Sequence, residues 1–216
     1  MASEGSELNV ISIPSSEDNG ENRDLGKNLV LLHGWGSNAQ DLAALQEYFA
    51  PQGWNLYCLN GIFPHPHAPG GWMWYDLERS DWPGLLESRR LVLQWVSGLE
   101  ARSGVPLSRT VLGGFSQGAA MSLDVGLSLP LGGLMILSGY LHPSLDLVTI
   151  ATPAPQILVV HGRQDTIVPI QAAHQIHHFL KNVPTDIAVT YEEMDAGHEV
   201  SREGLAAMER FLAGLL

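Results

Sequence analysis

The sequence predicts an α/β protein: one domain built on a mostly parallel sheet with helices on both faces. Three observations carry this. From Lys27 onward, short apolar runs alternate with longer segments of helical spacing, the pattern of repeated strand-helix units. The runs are continuously apolar, as strands covered on both faces require. The chain has 216 residues, with no internal repeat and no linker-like stretch, the size of one large domain.

The elements follow in order. Leu8–Ile13 alternates and can pair as an edge strand; Ser15 to Asp24 then reads as a loop or hairpin connection, and the first six residues read as readily as a tail. The acidic segment 1–27 is thereby set apart from a domain over 28–216. Strands are expected at Leu29–Leu32, Asn55–Leu59, Thr110–Gly113, Gly133–Leu137, Gln156–His161 and Ile187–Tyr191. Helices are expected at Ala39–Phe49, Gly84–Ser103, Gln117–Ser128, Ile170–Lys181 and Arg202–Leu215. In the second helix Leu85, Leu86, Leu91, Val92, Trp95, Val96 and Leu99 mostly keep the spacing of a buried stripe. Two segments are irregular, Gly61 to Pro83 and Leu141 to Pro155. The first carries Phe63, Trp72, Trp74, Tyr75 and Trp82. Ligands of open α/β sheets sit beyond the carboxyl ends of the strands, where such loops gather. These aromatics can wall an apolar substrate or cover the sheet edge as a satellite core; the residues leave both open.

Composition excludes several functions. Eleven Lys and Arg against 23 Asp and Glu give a net charge of −12, which argues against nucleic acid and against an anionic membrane surface. A single cysteine cannot form an internal disulfide. No run of about 18 apolar residues is present, and the N-terminus lacks a cationic start followed by an apolar core. A soluble cytoplasmic protein is expected.

The sharpest motif is Gly114-Phe115-Ser116-Gln117-Gly118, directly after an apolar strand and directly before a helix. Gly-x-Ser-x-Gly in that setting is a nucleophile elbow, a tight strained turn that holds the serine exposed above the sheet. A serine that only caps the helix is the competing reading. A hydroxyl nucleophile needs a base, and the base needs an orienting acid, in the chain order Ser, Asp or Glu, His. Asp165 follows the strand ending at Val160, and His198 follows the strand ending at Tyr191, so three polar groups end on loops at one edge of the sheet. Asp195, three residues from His198, is better placed to shape its turn; Glu192, Glu193, Asp186 and Asp124 offer less. Backbone N–H donors for an oxyanion are expected from Gln117, at a helix start, and from Trp35, between Gly34 and Gly36. His174, His177 and His178 share a helix but no carboxylate or cysteine joins them, so no metal site is expected; His65, His67 and His142 fall in the irregular segments. Cys58, within an apolar strand, is expected to be a buried small hydrophobe.

Leu32-His33-Gly34-Trp35-Gly36, Gly113 to Gly118, Leu137 to Leu141, Gly162 to Pro169 and Gly197-His198 together resemble the phospholipase/carboxylesterase branch of the α/β-hydrolases, which includes the acyl-protein thioesterases and small bacterial carboxylesterases. The resemblance runs from about Asn28 to the C-terminus. It implies an α/β-hydrolase fold without a large lid domain, no cofactor, frequent homodimers, and a small-molecule ester or acyl-thioester substrate. It implies Ser116, Asp165 and His198 as a catalytic triad, with Trp35 and Gln117 as oxyanion donors. Trp74-Tyr75-Asp76 is similar to a segment lining the family's active-site face, so Trp72, Trp74, Tyr75, Trp82 and Val168 are the expected substrate contacts. Two features depart from the family: Trp35 replaces a common Leu, and Pro64–Trp82 is an unusual loop. The expected activity is hydrolysis of short to medium acyl esters, possible thioesters included; a lysophospholipase, a lactone hydrolase and a non-catalytic binding protein are the alternatives on the same fold.

Overall fold

The structure, a computed structural model, describes residues 8–15, 26–49, 52–143 and 149–215. Its centre is a seven-stranded sheet formed by β1 (Val10–Ile13), β2 (Lys27–Leu32), β3 (Trp54–Leu59), β6 (Thr110–Phe115), β7 (Gly133–Leu137), β8 (Gln156–Gly162) and β9 (Val189–Met194), in the order β1-β3-β2-β6-β7-β8-β9. Only β1 runs antiparallel, on β3 at the edge, with Val10 opposite Leu59. The Leu8–Ile13 run therefore belongs to the main sheet, while most of the connection expected from Ser15 to Asp24, and the first six residues, lie outside the described residues.

The strands form because their side chains are apolar on both faces, and both faces are covered. Alternate residues Val30, Leu32, Leu112, Leu134, Ile136, Ile157 and Val159 pack with Val92, Val96, Met121, Ile176 and Leu180 on one face. These belong to α2 (Leu85–Ser97), α4 (Gln117–Gly126) and α5 (Gln171–Asn182). Their neighbours Leu29, Leu31, Val111, Met135, Leu158 and Val160 pack with Ala39, Leu42, Ala207, Met208 and Leu212 of α1 (Ala39–Ala44) and α6 (Arg202–Gly214) on the other. Cys58 is in this second core, and burial pushes its thiol up to about 12. Among the described residues no helix is long and apolar enough to cross a membrane.

Several boundaries differ from expectation. The helix over Gly84–Ser103 divides at Gly98 into α2 and α3 (Leu99–Ser103). Glycine weakens a helix interior, and the Arg102 guanidinium satisfies the Trp95 carbonyl there while lying over its indole at 4.6 Å. The first helix stops at Ala44 and continues as a 3₁₀ turn, Leu45–Glu47. The last strand extends to Met194, three residues beyond the apolar run, because its polar end is held by side-chain pairs: Glu192 to Arg210 at 2.8 Å and Glu193 to Arg163 at 3.0 Å. Inside the irregular Gly61–Pro83 segment, β4 (Phe63–Pro64) and β5 (Trp72–Met73) form a short antiparallel ladder.

Candidate active site

Four loops at the carboxyl ends of β2, β6, β8 and β9 build the site. Ser116 occupies the turn from β6 to α4 with φ 55° and ψ −116°, a backbone conformation that a side chain with a Cβ adopts only under constraint. The glycines on either side make that constraint possible. A Cβ on Gly118 would lie 2.2 Å from Leu32 O and 2.5 Å from His33 O; one on Gly114 would lie 2.5 Å from the Gly118 carbonyl carbon. The elbow thus presses directly on β2, and the Ser116 N–H donates to Leu137 O of β7 at 2.8 Å.

The structure brings Ser116, His198 and Asp165 together. Ser116 Oγ lies 3.0 Å from His198 Nε2, and His198 Nδ1 lies 2.7 Å from Asp165 Oδ2. The carboxylate is anchored on its other oxygen by the Ile167 and Val168 N–H groups at 2.9 and 2.8 Å. Burial would raise the Asp165 pKa, but the His198 hydrogen bond and the two backbone donors outweigh it and hold the group below the ordinary carboxylate value. An ionised acid accepts from Nδ1–H, which leaves Nε2 unprotonated toward the serine. The Phe115 ring, 4.7 Å from the imidazole, supports it from the side.

The acid and base loops are stitched to each other. Arg163 N–H donates to Met194 O, Gln164 N–H to Ala196 O, and Gln164 Nε2 to Asp195 Oδ1 at 2.7 Å. Asp195 is exposed and occupied by that contact; it joins the two loops and does not touch the imidazole. His161, at the end of β8, donates from Nε2 to Val168 O at 2.7 Å and so closes the Asp165 loop.

On the β2 side, Gly36 and Ser37 N–H donate to Trp72 O and Gly34 O, which fixes the turn on which Trp35 lies. The turn abuts the nucleophile: a Cβ on Gly34 would sit 3.5 Å from Ser116 Cβ. Gln117 opens α4, where the first N–H groups have no intrahelical acceptor. The turn is held by His33, which is fully buried. Its Nε2 accepts from Gly61 N–H at 2.8 Å, so Nδ1 carries the proton and donates to Gly34 O at 2.7 Å. Burial, only partly offset by that carbonyl and by Asp41, lowers the His33 pKa to about 4.

The expected substrate contacts separate into two groups. Trp72, Trp82 and Val168 are partly exposed. Trp74 and Tyr75 have no exposed surface, so neither presents a face to a ligand, contrary to expectation; they belong to the main core on one face of the sheet, with Leu32, Leu59 and Val92. Trp74 donates from its indole to His33 O at 2.9 Å, and the Gln117 carboxamide bonds Trp74 N–H and Tyr75 O at 2.9 and 2.7 Å. The Trp35 indole packs edge-on with His65, ring centres 4.3 Å apart.

His33 and His161, each standing between an apolar strand and a glycine, carry roles that the sequence motifs do not specify. Asp124, weighed as an acid for the triad, and His142, placed in an irregular segment, are buried together instead, with Nδ1 2.8 Å from Oδ2. The helix histidines are individually engaged: His174 with Glu193, His177 stacked on Tyr191, His178 beside Asn182. Among the described residues no group of three or more His, Cys, Asp or Glu side chains is placed to hold a metal ion.

Comparison with known proteins places this geometry. A family model described as Phospholipase/Carboxylesterase matches residues 20–216. An acyl-protein thioesterase 1 of Neurospora crassa is 30% identical over 212 residues, covering 85% of this chain and 84% of that one. The Schizosaccharomyces pombe protein of the same name is 32% identical over 205 residues, 85% and 88% of the two chains. Among solved structures, esterase PE8 superposes with a TM-score of 0.84 at 26% identity over 97% of this chain and all of that one. The Bacillus cereus carboxylesterase shares the fold, with a TM-score of 0.79 at 15% identity over 98% of this chain and 96% of that one. A match over nearly the whole chain, on an elbow and loops of this geometry, means that the chain is a hydrolase and belongs to the phospholipase/carboxylesterase family of α/β-hydrolases.

Proposed function

We propose that the protein hydrolyses carboxylic esters and thioesters of short to medium acyl chains through Ser116, His198 and Asp165. The observation that carries this reading is the unbroken hydrogen-bonded chain from Ser116 Oγ through His198 to Asp165 Oδ2, at 3.0 and 2.7 Å. His198 Nε2 takes the Ser116 proton as the oxygen attacks the carbonyl carbon; Asp165 fixes the imidazole tautomer and stabilises the imidazolium. Trp35 and Gln117 N–H groups receive the oxyanion, each worth about 3 kcal/mol in comparable sites. His198 then returns the proton to the departing alcohol or thiol, and water, deprotonated by the same nitrogen, releases the acid from the acyl-enzyme. The half-buried Trp72, Trp82 and Val168 are the apolar contacts proposed for the substrate, and the Trp35 indole narrows the acyl side.

Initial rates on p-nitrophenyl esters from acetate to palmitate, with one acyl-thioester, test this in the wild type and Ser116→Ala. The expected result is an optimum at short to medium chains and a loss of about 10⁶-fold in the variant. Substantial turnover by a folded Ser116→Ala overturns the assignment. An optimum at long chains replaces it with the lysophospholipase reading.

A further inference from the structure

We propose that Tyr75, His142 and Asp124 are positioning residues for the oxyanion donor Gln117, an inference that rests on the Ser116 reading above. Helix α4 carries Gln117 and Asp124 seven residues apart, two turns along one side of the helix. From its first residue the Gln117 carboxamide grips one dipeptide at both ends, accepting from Trp74 N–H and donating to Tyr75 O. The same Tyr75 reaches with its hydroxyl to His142 Nε2 at 2.9 Å, and His142 Nδ1 lies 2.8 Å from Asp124 Oδ2. A closed ring results: helix, Gln117, Tyr75, His142, Asp124, and the helix again.

Every member, Gln117 included, is buried. Tyr75 has no exposed surface, and the His142 and Asp124 side chains are 0% and 2% exposed. Burying a carboxylate, an imidazole and a phenol is unfavourable unless each is paired, and a well-packed apolar set of equal volume holds a core at least as well. What apolar packing does not supply is direction. Here the two ring nitrogens are each given one partner, Asp124 Oδ2 at Nδ1 and the Tyr75 hydroxyl at Nε2; with Nδ1–H donating to the carboxylate, a neutral ring accepts the Tyr75 O–H, which holds the phenol along its own axis. Neighbouring groups brace the same segment. Tyr140 Oη lies 2.5 Å from Tyr75 Oη, Ser88 Oγ donates to Trp74 O, Arg89 Nε lies 3.2 Å from Asp124 Oδ1, and the Trp82 ring stacks on Tyr75 at 5.5 Å. The atom that benefits is the Gln117 N–H, the first donor of α4 and immediately beyond the strained Ser116. Its aim depends on where the Gln117 side chain is held.

A donor that meets charge only in the transition state affects kcat and leaves KM nearly alone. A misplacement of about 1 Å near the chemistry can cost about 10²-fold, so a partial loosening is expected to cost about tenfold. The test is a double-mutant cycle on p-nitrophenyl butyrate. Tyr75→Phe removes one oxygen and keeps the stacked ring; it should lower kcat about tenfold with KM within about twofold. In a Gln117→Ala background, Tyr75→Phe should have no further effect, because the hydroxyl acts only through the carboxamide. His142→Gln, carried in parallel, cuts the same ring at its next bond and keeps the question open to refutation if Tyr75→Phe does not fold. An unchanged kcat in a folded variant, or losses that multiply to about a hundredfold in the double variant, overturns the positioning role. Ser116→Ala separates the two claims: residual turnover there removes the site reading and this inference together, whereas an inactive Ser116→Ala with an unaffected Tyr75→Phe removes only the inference.

Discussion

Lowering the pH from 7.5 to 4.5 should weaken the fold through one identifiable group, His33. The folded protein holds this imidazole neutral, with Nε2 accepting from Gly61 N–H and burial lowering its pKa from the ordinary 6.5 to about 4. In the unfolded chain the ring titrates normally. Above pH 6.5 neither state binds the proton, so the group is neutral in both. Between 6.5 and about 4 only the unfolded chain takes it up, so stability falls as the pH drops through that window; below about 4 both states are protonated and the loss stops. At about 1.4 kcal/mol per pKa unit, the displacement from 6.5 to about 4 amounts to about 3 kcal/mol. Urea unfolding followed by tryptophan fluorescence at pH 7.5, 6.5, 5.5 and 4.5 measures it, in the wild type and in His33→Gln. The glutamine carbonyl can still accept from Gly61 N–H but does not titrate. Every other ionisable group is common to the two proteins, so the difference in slope isolates this one. The variant should be weaker at pH 7.5, for want of the Gly34 contact, yet lose less on acidification, with a slope shallower by up to about 1.4 kcal/mol per pH unit. Superimposable slopes would refute the assignment of a neutral His33.

Two substitutions divide the acid loops. Asp165→Asn should reduce kcat on p-nitrophenyl butyrate about 10⁴-fold by disturbing the imidazole tautomer, while Asp195→Asn, which alters only the tie to Gln164, should stay within about threefold. A larger loss from Asp195→Asn would give the acid role to the wrong loop. Gly118→Ala forces a methyl to 2.2 Å from Leu32 O, where both partners are backbone and neither is a flexible tip. Overpacking of that kind should cost about 3 kcal/mol and lower the calorimetric midpoint by about 10 °C in a chain of this length; a change under about 2 °C would mean that β2 and α4 are less tightly apposed than described.

The parts of the architecture readable beforehand are those written in one-dimensional pattern. Continuously apolar runs such as Val111-Leu112 and Leu134-Met135-Ile136 specify two-sided burial wherever they occur, and both cores use them alternately. The elbow was legible because strain admits few residues there: only glycine fits against Leu32 O and Gly118. The end of β9 was not legible, because Glu192 and Glu193 look solvated until Arg210, Arg163 and His174 arrive from elsewhere in the chain. The burial of Trp74 and Tyr75 is hidden from the sequence for a related reason. An aromatic in a proline-rich loop has the same composition whether it faces a ligand or a core; this pair packs with Leu32, Leu59 and Val92, and its backbone is held by the Gln117 carboxamide, 43 and 42 residues away.

The unread part of the site shares one physical cause. Where parallel strands end, their last carbonyls and the first N–H groups of the following loops lose their ladder partners, and buried polar groups must find others. His33 serves Gly34 O and Gly61 N–H beyond β2; His161 serves Val168 O beyond β8; Gln117 serves Trp74 N–H and Tyr75 O beyond β6. Each is a planar side chain that reaches backbone a loop away, and none touches a reacting atom with that side chain. Their partners lie 1 to 43 residues distant, so no local pattern announces them. Together they fix Trp35, Asp165 and Gln117, the three positions from which oxyanion donors and the orienting acid act in the proposed mechanism. A substitution at any of the three should therefore move turnover more than its own distance from Ser116 would lead one to expect, since it releases a loop and not merely a contact.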